Sequence, residues 1–242
     1  MKSLQILPSL NVGGVERGVI DLARAMKRRG EPCVIISSGG ELVKELEKIG
    51  ITHYRLPVHK KSMEALGLVP KIAEIIRREN IDIVHARSRV PAWLAWLAAR
   101  QTNRPFVTTC HGYYSTHFLS RVMGWGKYVI AISRIIGRHM IDDFGVSPNR
   151  IRLIHRGVDL SQFSFSPKTC NIKERPFRII NIGRFSPIKG QVEFLHAVHE
   201  LRKQIQQIEV ESTGNDTMLV FPSNSFLGFR SVQSAKSLMR PL

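Results

Sequence analysis

Short apolar runs alternate with helical patterns along the first two thirds of the chain. The runs are rich in β-branched and aromatic residues, which favour strands. In chain order they are LQILP, PCVIIS, ITHYRL, IDIVHA, PFVTTC, KYVIAIS and RIRLIH. Stretches with helical spacing, such as ERGVIDLARAMKRRG and PKIAEIIRREN, separate most of them. This alternation predicts an α/β fold with a doubly wound parallel sheet covered on both faces.

The pattern stops near residue 165 and then restarts. Residues 166–176 have no periodicity and lie in a stretch with two prolines, which predicts a linker. From Phe177 onward, FRIINIG predicts a strand and QVEFLHAVHELRKQIQ predicts an amphipathic helix. The apolar positions of that helix are Val192, Leu195, Val198, Leu201 and Ile205. We therefore divide the chain into a first lobe (1–165), a linker (166–176) and a second, incomplete lobe (177–242).

Composition narrows the class of protein. The longest apolar run, Val90–Ala99, is about half of the ~20 residues that a membrane-spanning helix needs. The N-terminal apolar stretch is interrupted at Pro8, which is atypical of a secretory signal. Cys33, Cys110 and Cys170 are odd in number and lack metal-ligand spacing. We expect a cytoplasmic protein with reduced thiols and no metal site.

The charge balance predicts an anionic partner. The chain has 36 Lys and Arg against 19 Asp and Glu, a formal net charge of +17. Nucleic acid, an anionic membrane surface, a phosphorylated glycolipid and a nucleoside diphosphate would each satisfy this excess. Nucleic acid is the least favoured partner, because the sequence contains no aromatic and basic RNA-binding motif.

Residues suited to ligand binding follow the predicted strands, where ligands of open parallel sheets bind. Gly13 and Gly14 precede the first helix, whose N-terminal amides suit a phosphate, although such a pair is equally typical of a tight turn. His85 and Arg87 lie at the end of the fourth strand, and His111 follows the fifth. Taken alone, His111 is more typical of a loop histidine hydrogen-bonded within the fold.

Arg184 and Lys189 form a second candidate anion site. They lie on either side of a Ser-Pro turn in NIGRFSPIKGQ, between a predicted strand and a predicted helix. Two cations at the start of a helix are suited to a phosphate or diphosphate. A solvated turn is the alternative interpretation of the same spacing.

The motifs GGVERG, HGYYS, AISR, IHRGVDLSQF and IGRFSPIKG occur in the order seen in glycosyltransferase family 4. The chain resembles that family from Leu4 to about Gln206. The resemblance implies a GT-B fold, in which two Rossmann-like lobes face each other across a cleft. It also implies retaining transfer of a hexose from a nucleotide sugar to a glycan or glycolipid acceptor, for example of the lipopolysaccharide type. The first lobe would hold the acceptor and the second the donor.

The resemblance also assigns roles to individual residues. Arg184 and Lys189 would contact the donor diphosphate, which Gly13 and Gly14 would approach from the other lobe. His111 would lie near the transferred sugar as the catalytic candidate. The acceptor-side candidates are Glu16, His85 and Arg87. Fixed cations stabilise the charge that gathers on a departing diphosphate, so we expect no metal or other cofactor.

The second lobe departs from the family pattern. A complete lobe needs at least ~100 residues, and the stretch after Phe177 is shorter. The family carries two glutamates eight residues apart in this lobe, and no acidic pair after Lys189 has that spacing. The tail faintly resembles the corresponding stretch, with Phe226 and Ser234 in place of the two carboxylates. This comparison predicts a deletion between about residues 209 and 217 and impaired activity.

A non-catalytic remnant is therefore the alternative function. Its first lobe would bind an anionic glycolipid or the inner face of a membrane. The net charge of +17 favours such attachment, as do Trp93 and Trp96 in the helix after the fourth strand. Tryptophans at this spacing are more typical of a helix packed on a core.

Overall fold

The computed structural model describes residues 1–160, 177–183, 189–205, 208–214, 217–221 and 230–233. Contacts divide the chain into two compact units, Met1–Leu160 (unit 1) and Ser161–Leu242 (unit 2). The predicted linker, 166–176, and Arg184 lie outside the described residues.

Unit 1 contains all seven strands that the apolar runs predict. Its strands are β1 Ser3–Ile6, β2 Cys33–Ser37, β3 Thr52–Arg55, β4 Ile83–Ala86, β5 Phe106–Cys110, β6 Tyr128–Ala131 and β7 Ile151–Leu153. Its α-helices are α1 Gly14–Arg28, α2 Val43–Lys48, α3 Val69–Arg78, α4 Arg89–Gln101 and α5 Arg134–Asp142. Short 3₁₀ helices span Met63–Leu68, Phe118–Gly124 and Pro148–Arg150.

The strands of unit 1 form one parallel sheet in the order β3-β2-β1-β4-β5-β6-β7. The strand order reverses between β1 and β4, where Leu4 is paired with Val34 on one side and Val84 on the other. Loops that follow β1 and β4 leave in opposite directions at this point. Such a reversal creates the crevice in which open α/β sheets bind ligands.

Alternate residues of the central strands supply two separate cores. Val34 and Ile36 of β2 belong to the core that contacts α3, α4 and α5. Ile35 points to the opposite core, where it meets Val19 and Ile20 of α1. Because both faces are buried, these strands are continuously apolar, which explains runs such as CVIIS.

The longest apolar run of the sequence lies in α4. Its buried positions are mostly alanine, with Leu94 fully within the core. Small side chains let α4 pack closely against α3 and the sheet. Within the described ranges, none of the helices combines the length and the apolar character needed to span a bilayer.

Unit 2 contains one strand-helix-strand element followed by an antiparallel extension. Its elements are β8 Phe177–Ile182, α6 Gln191–Arg202, β9 Ile208–Gly214, β10 Thr217–Phe221 and β11 Arg230–Gln233. The sheet order is β11-β10-β9-β8, with β8 and β9 parallel and β10 antiparallel to both of its neighbours. The Rossmann-like pattern thus covers β8 to β9. Phe226 and Ser234, the proposed replacements of the two glutamates, lie outside the described residues.

The predicted apolar face of α6 is partly wrong. Val198 is buried, and Phe194 and Leu201 pack with it against the sheet. Val192 is 62% exposed and Leu195 is 38% exposed. Phe194, Val198 and Leu201, at positions i, i+4 and i+7, form a narrow stripe that packs on the small β8–β9 surface. The predicted face included Val192 and Leu195, which lie to one side of this stripe.

Candidate functional site

The carboxyl ends of β1, β4 and β5 bring most of the predicted unit 1 residues together. These three strands are neighbours in the sheet. His85 is in β4, Arg87 directly follows that strand, and His111 directly follows β5. The three side chains are close enough for charge on one to lower the pKa of another. The loop after β1 leads to Gly13 and Gly14 at the start of α1.

The first turn of α1 offers free backbone donors. Gly13 is the N-cap in an extended conformation, and no side chain caps the helix. The N–H groups of a first helical turn have no partner within the helix and attract anions. Glu16 is the acidic residue of this turn, and its carboxylate lies against Gly13.

Arg156, which the sequence alone does not single out, lies across the same end of α1. A methyl group on Gly14 would lie 2.8 Å from its Nη1, and one on Gly18 would lie 2.8 Å from its Nη2. The guanidinium therefore rests on the helix surface where two glycines, one turn apart, leave room. The signal was present in the spacing of GGVERG and in the arginine of IHRGVDLSQF.

Arg87 is a buried cation that directly follows β4. It is 9% exposed, and its Nε donates to Oε1 of Gln5 at 2.8 Å. Burial lowers the pKa of Arg87 to about 10, with a further contribution from Arg156, so the side chain stays protonated at neutral pH. Within the described part of the chain, neither arginine has a carboxylate oxygen within 4.0 Å. An uncompensated buried cation is costly, which favours an anionic ligand here.

His111 is not satisfied within the fold. Both of its ring nitrogens are buried and lack a hydrogen-bond partner among the residues described. Burial, together with the positive charges of Arg87 and Arg156, lowers the pKa of His111 to about 4, so the ring is neutral at pH 7. The interpretation of His111 as a hydrogen-bonded loop histidine is therefore wrong. His85, by contrast, is hydrogen-bonded through Nε2 to Oγ1 of Thr109 at 2.7 Å, and burial holds its pKa well below the usual value.

A chain of contacts fixes the loop that carries His111. The backbone N–H of His111 donates to Oη of Tyr114 at 3.3 Å. The N–H of Tyr114 donates to Nε2 of His139 in α5 at 3.2 Å, and Nδ1 of that ring is 2.6 Å from a carboxylate oxygen of Asp143. His139 is buried. The loop after β5 is thus anchored to α5, which holds the backbone of His111 in place.

Lys189 of unit 2 is exposed and lies two residues before α6. Gly190 follows it with a φ of 67°, a left-handed conformation that glycine adopts without strain. The partner cation of the sequence prediction, Arg184, lies outside the described residues. Among the residues described, no cluster of three or more His, Cys, Asp and Glu side chains could hold a metal ion.

A cluster of four aromatic side chains, the aromatic patch, lies on the surface of unit 1. Its members are Trp93, Trp96, Phe118 and Trp125, with ring centroids of Trp125 5.0 Å from Trp93 and 4.7 Å from Trp96. Phe118 is 63% exposed and Trp125 is 38% exposed. The guanidinium of Arg100 stacks on Trp96, 5.1 Å from the ring centroid. Trp93 and Trp96 thus join the core on one side and this exposed surface on the other.

A family model matches more than half of the chain. The family model described as Glycosyltransferase Family 4 matches residues 12–162. The capsular polysaccharide biosynthesis glycosyltransferase CapH of Staphylococcus aureus is 26% identical over 232 residues, which cover 89% of this chain and 62% of CapH. The chain spans less than two thirds of the length of the curated relatives it matches.

Two solved structures show the same fold. A glycosyltransferase from Rickettsia africae is 30% identical, with a TM-score of 0.69 and coverage of 89% of this chain and 69% of that one. Anabaena Alr3699/HepE, solved in complex with UDP and glucose, is 21% identical with a TM-score of 0.68. That alignment covers 87% of this chain and 60% of HepE.

Proposed function

Because the chain belongs to Glycosyltransferase Family 4, we propose that it transfers a hexose, with retention, from a nucleotide sugar to a glycan or glycolipid acceptor. The observation that carries this proposal is His111, whose buried ring nitrogens have no partner among the described residues. A neutral imidazole at a strand's carboxyl end can donate to or accept from a sugar hydroxyl. A glycan product is supported by the name of CapH, a capsular polysaccharide biosynthesis glycosyltransferase. A nucleotide-sugar donor is supported by the UDP and glucose bound to HepE.

The charges of the chain suit the departing group. When the bond between the sugar C1 and the diphosphate oxygen breaks, negative charge gathers on the diphosphate. Cations held nearby stabilise this charge more in the transition state than in the ground state. We assign this role to Arg184 and Lys189 and expect no metal cofactor. Lys189→Ala should weaken binding of a nucleoside diphosphate about tenfold, as for the loss of a charge-assisted hydrogen bond.

Release of nucleoside diphosphate from a panel of nucleotide sugars tests the reaction. With a lipid-linked or oligosaccharide acceptor present, we expect slow turnover that His111→Ala reduces about a hundredfold, because a misplaced sugar loses the productive orientation. His59→Ala, at an exposed histidine of unit 1, is the control and should match the parent. Equal turnover in the parent and His111→Ala would refute the role of His111. Diphosphate binding without turnover would favour the non-catalytic alternative.

We also propose that the aromatic patch attaches the chain to the anionic cytoplasmic face of a membrane, where its acceptor would be a glycolipid. Tryptophan and phenylalanine partition to the membrane interface, and nearby arginines attract anionic lipids. Phe118 is the most exposed member of the aromatic patch, with 63% of its surface accessible. Arg100 stacks on Trp96, and Arg121 lies in the same short helix as Phe118, so both supply positive charge next to the patch.

Co-sedimentation with vesicles of phosphatidylglycerol and phosphatidylcholine tests this attachment. Phe118→Ser should reduce the bound fraction severalfold at low salt, and added salt should reduce it in the parent. Ile135→Ser is a matched control, since Ile135 is also 63% exposed but lies in α5. Equal losses in both variants would assign the binding to general hydrophobicity rather than to the aromatic patch.

A further inference from the structure

We propose that unit 1 contains a phosphate site of its own, formed by Arg87, Arg156 and the first backbone N–H groups of α1. Its ligand class is a phosphate ester or diphosphate. The inference deepens the proposed function and rests on it only for the origin of the phosphate. Two origins share this chemistry: the diphosphate of the donor, and a phosphate carried by the acceptor.

The first step of the argument is the hydrogen-bonding state of Arg87. Its Nε is used by Gln5, whereas Nη1 and Nη2 have no hydrogen-bond acceptor among the residues described. The residue is nine-tenths buried, yet these two nitrogens are absent from the fully buried unpaired atoms of the fold, so a ligand can reach them from the surface. A guanidinium fixed through Nε presents its two terminal amino groups together, the arrangement that binds a phosphate through two parallel bonds.

The second step is the position of Arg156. Its two terminal nitrogens face Gly14 and Gly18, so the guanidinium lies along the first turn of α1. Described residues offer it neither a hydrogen-bond acceptor nor a carboxylate partner. It also lies close enough to Arg87 and His111 to lower the pKa of each. The fold thus holds two arginines near each other, and no carboxylate oxygen of the described residues lies within 4.0 Å of either guanidinium.

The third step is the start of α1. The N–H of Arg17 donates to the carbonyl of Gly13 at 2.9 Å, and the N–H groups before it have no helical partner. These free N–H groups belong to the first turn of α1, along which the Arg156 guanidinium lies. Glu16 is the one acidic residue of this turn, and its charge should weaken an anion bound there. Glu16→Gln is therefore expected to raise phosphate affinity severalfold.

Calorimetric titration of the full chain tests the site with three probes: inorganic phosphate, UDP and geranyl diphosphate. Arg156→Gln should weaken binding of phosphate about tenfold or more, since a charge-assisted contact is lost. Arg28→Gln is the matched control, because it removes the same charge from an exposed residue in the last turn of the same helix. It should change the affinity less than about twofold at equal ionic strength.

The probes distinguish the two origins. A loss for phosphate and UDP but not for geranyl diphosphate would assign the site to the donor diphosphate. A loss for phosphate and geranyl diphosphate but not for UDP would assign it to a phosphorylated acceptor. Either result supports the site. Equal affinities of Arg156→Gln and Arg28→Gln for all three probes, or no binding of any probe to the parent, would overturn it. Arg156-dependent binding without sugar transfer would leave the site standing while the proposed reaction failed.

Discussion

Replacing Gly18 with alanine should stabilise α1 and at the same time displace Arg156. Gly18 lies inside α1 with ordinary helical backbone, where alanine is favoured over glycine by about 0.8–1.0 kcal/mol. The added methyl group would lie 2.8 Å from Nη2 of Arg156 and 3.7 Å from its Cζ. These atoms are the tip of an exposed side chain, so the guanidinium moves away and the helix stays in place.

The expected change in stability combines the higher helix propensity of alanine with the cost of displacing Arg156. Displacing a flexible, exposed side chain costs little, so the free energy of unfolding of unit 1 should rise by roughly 0.5–1 kcal/mol. For a unit of this size the melting temperature should rise by about 1–4 °C. Phosphate affinity should fall in the same variant, because Arg156 no longer lies along the first turn of α1.

Thermal unfolding followed by circular dichroism, together with the phosphate titration, measures both effects. Gly137→Ala is the matched control: it is also helical, and its new methyl group would lie 3.6 Å from Cβ of Ala131, an ordinary contact. It should raise the melting temperature without changing phosphate affinity. Parental phosphate affinity in Gly18→Ala would refute the role of Arg156. A lowered melting temperature would show that its contact with α1 is structural.

Four further predictions concern acid stability, thiol reactivity, packing and metal dependence. Because burial lowers the pKa of His111 to about 4, the unfolded chain takes up a proton first as the pH falls below about 6.5. The stability that the neutral ring contributes is present above that pH and lost toward pH 4. The free energy of unfolding in urea should therefore differ less between pH 7 and pH 5 in His111→Asn than in the parent. An unchanged difference would contradict the burial argument. Burial raises the pKa of Cys33 to about 11 and that of Cys110 to about 12. After treatment with a disulfide reagent at pH 8, peptide mapping should find both thiols unmodified in the native chain and modified in urea. Labelling of the native chain would place them at the surface. Ile36→Ala removes a fully buried side chain and should cost about 2–5 kcal/mol by urea unfolding, whereas a loss below 1 kcal/mol would mean that the site collapses around the cavity. EDTA should leave the affinity for UDP unchanged, and a tenfold loss would require a metal.

The sheet of unit 1 was predictable because burial on both faces imposes long apolar runs. The β2 run CVIIS has no polar position until Ser37. The end of α1 was also visible, since Gly30 follows the last turn with a φ of 70°. Such signals are local, so a short window of sequence contains them.

The remaining features depend on contacts between distant residues. Arg156 follows β7, at the far edge of the sheet order, and meets Gly14 through the fold of the whole unit. The β9–β10–β11 extension is not apparent from the sequence, because its short strands become recognisable only through their antiparallel pairing, as between Met218 and Val232. The free nitrogens of His111 are likewise a property of its surroundings, which a single histidine in a sequence does not reveal.

The strand reversal between β1 and β4 makes unit 1 divisible. Strands β1 to β3 and β4 to β7 come from two continuous stretches, and the β1–β4 ladder is the pairing between them. A chain break at the exposed Lys60–Lys61 pair would leave every other pairing intact, and the shared core would draw the two fragments together. Gly14 would lie on one fragment and Arg156 on the other, so phosphate would bind only the reassembled pair. By mass action it should then tighten their association, which would make the split chain a bimolecular sensor for phosphate esters.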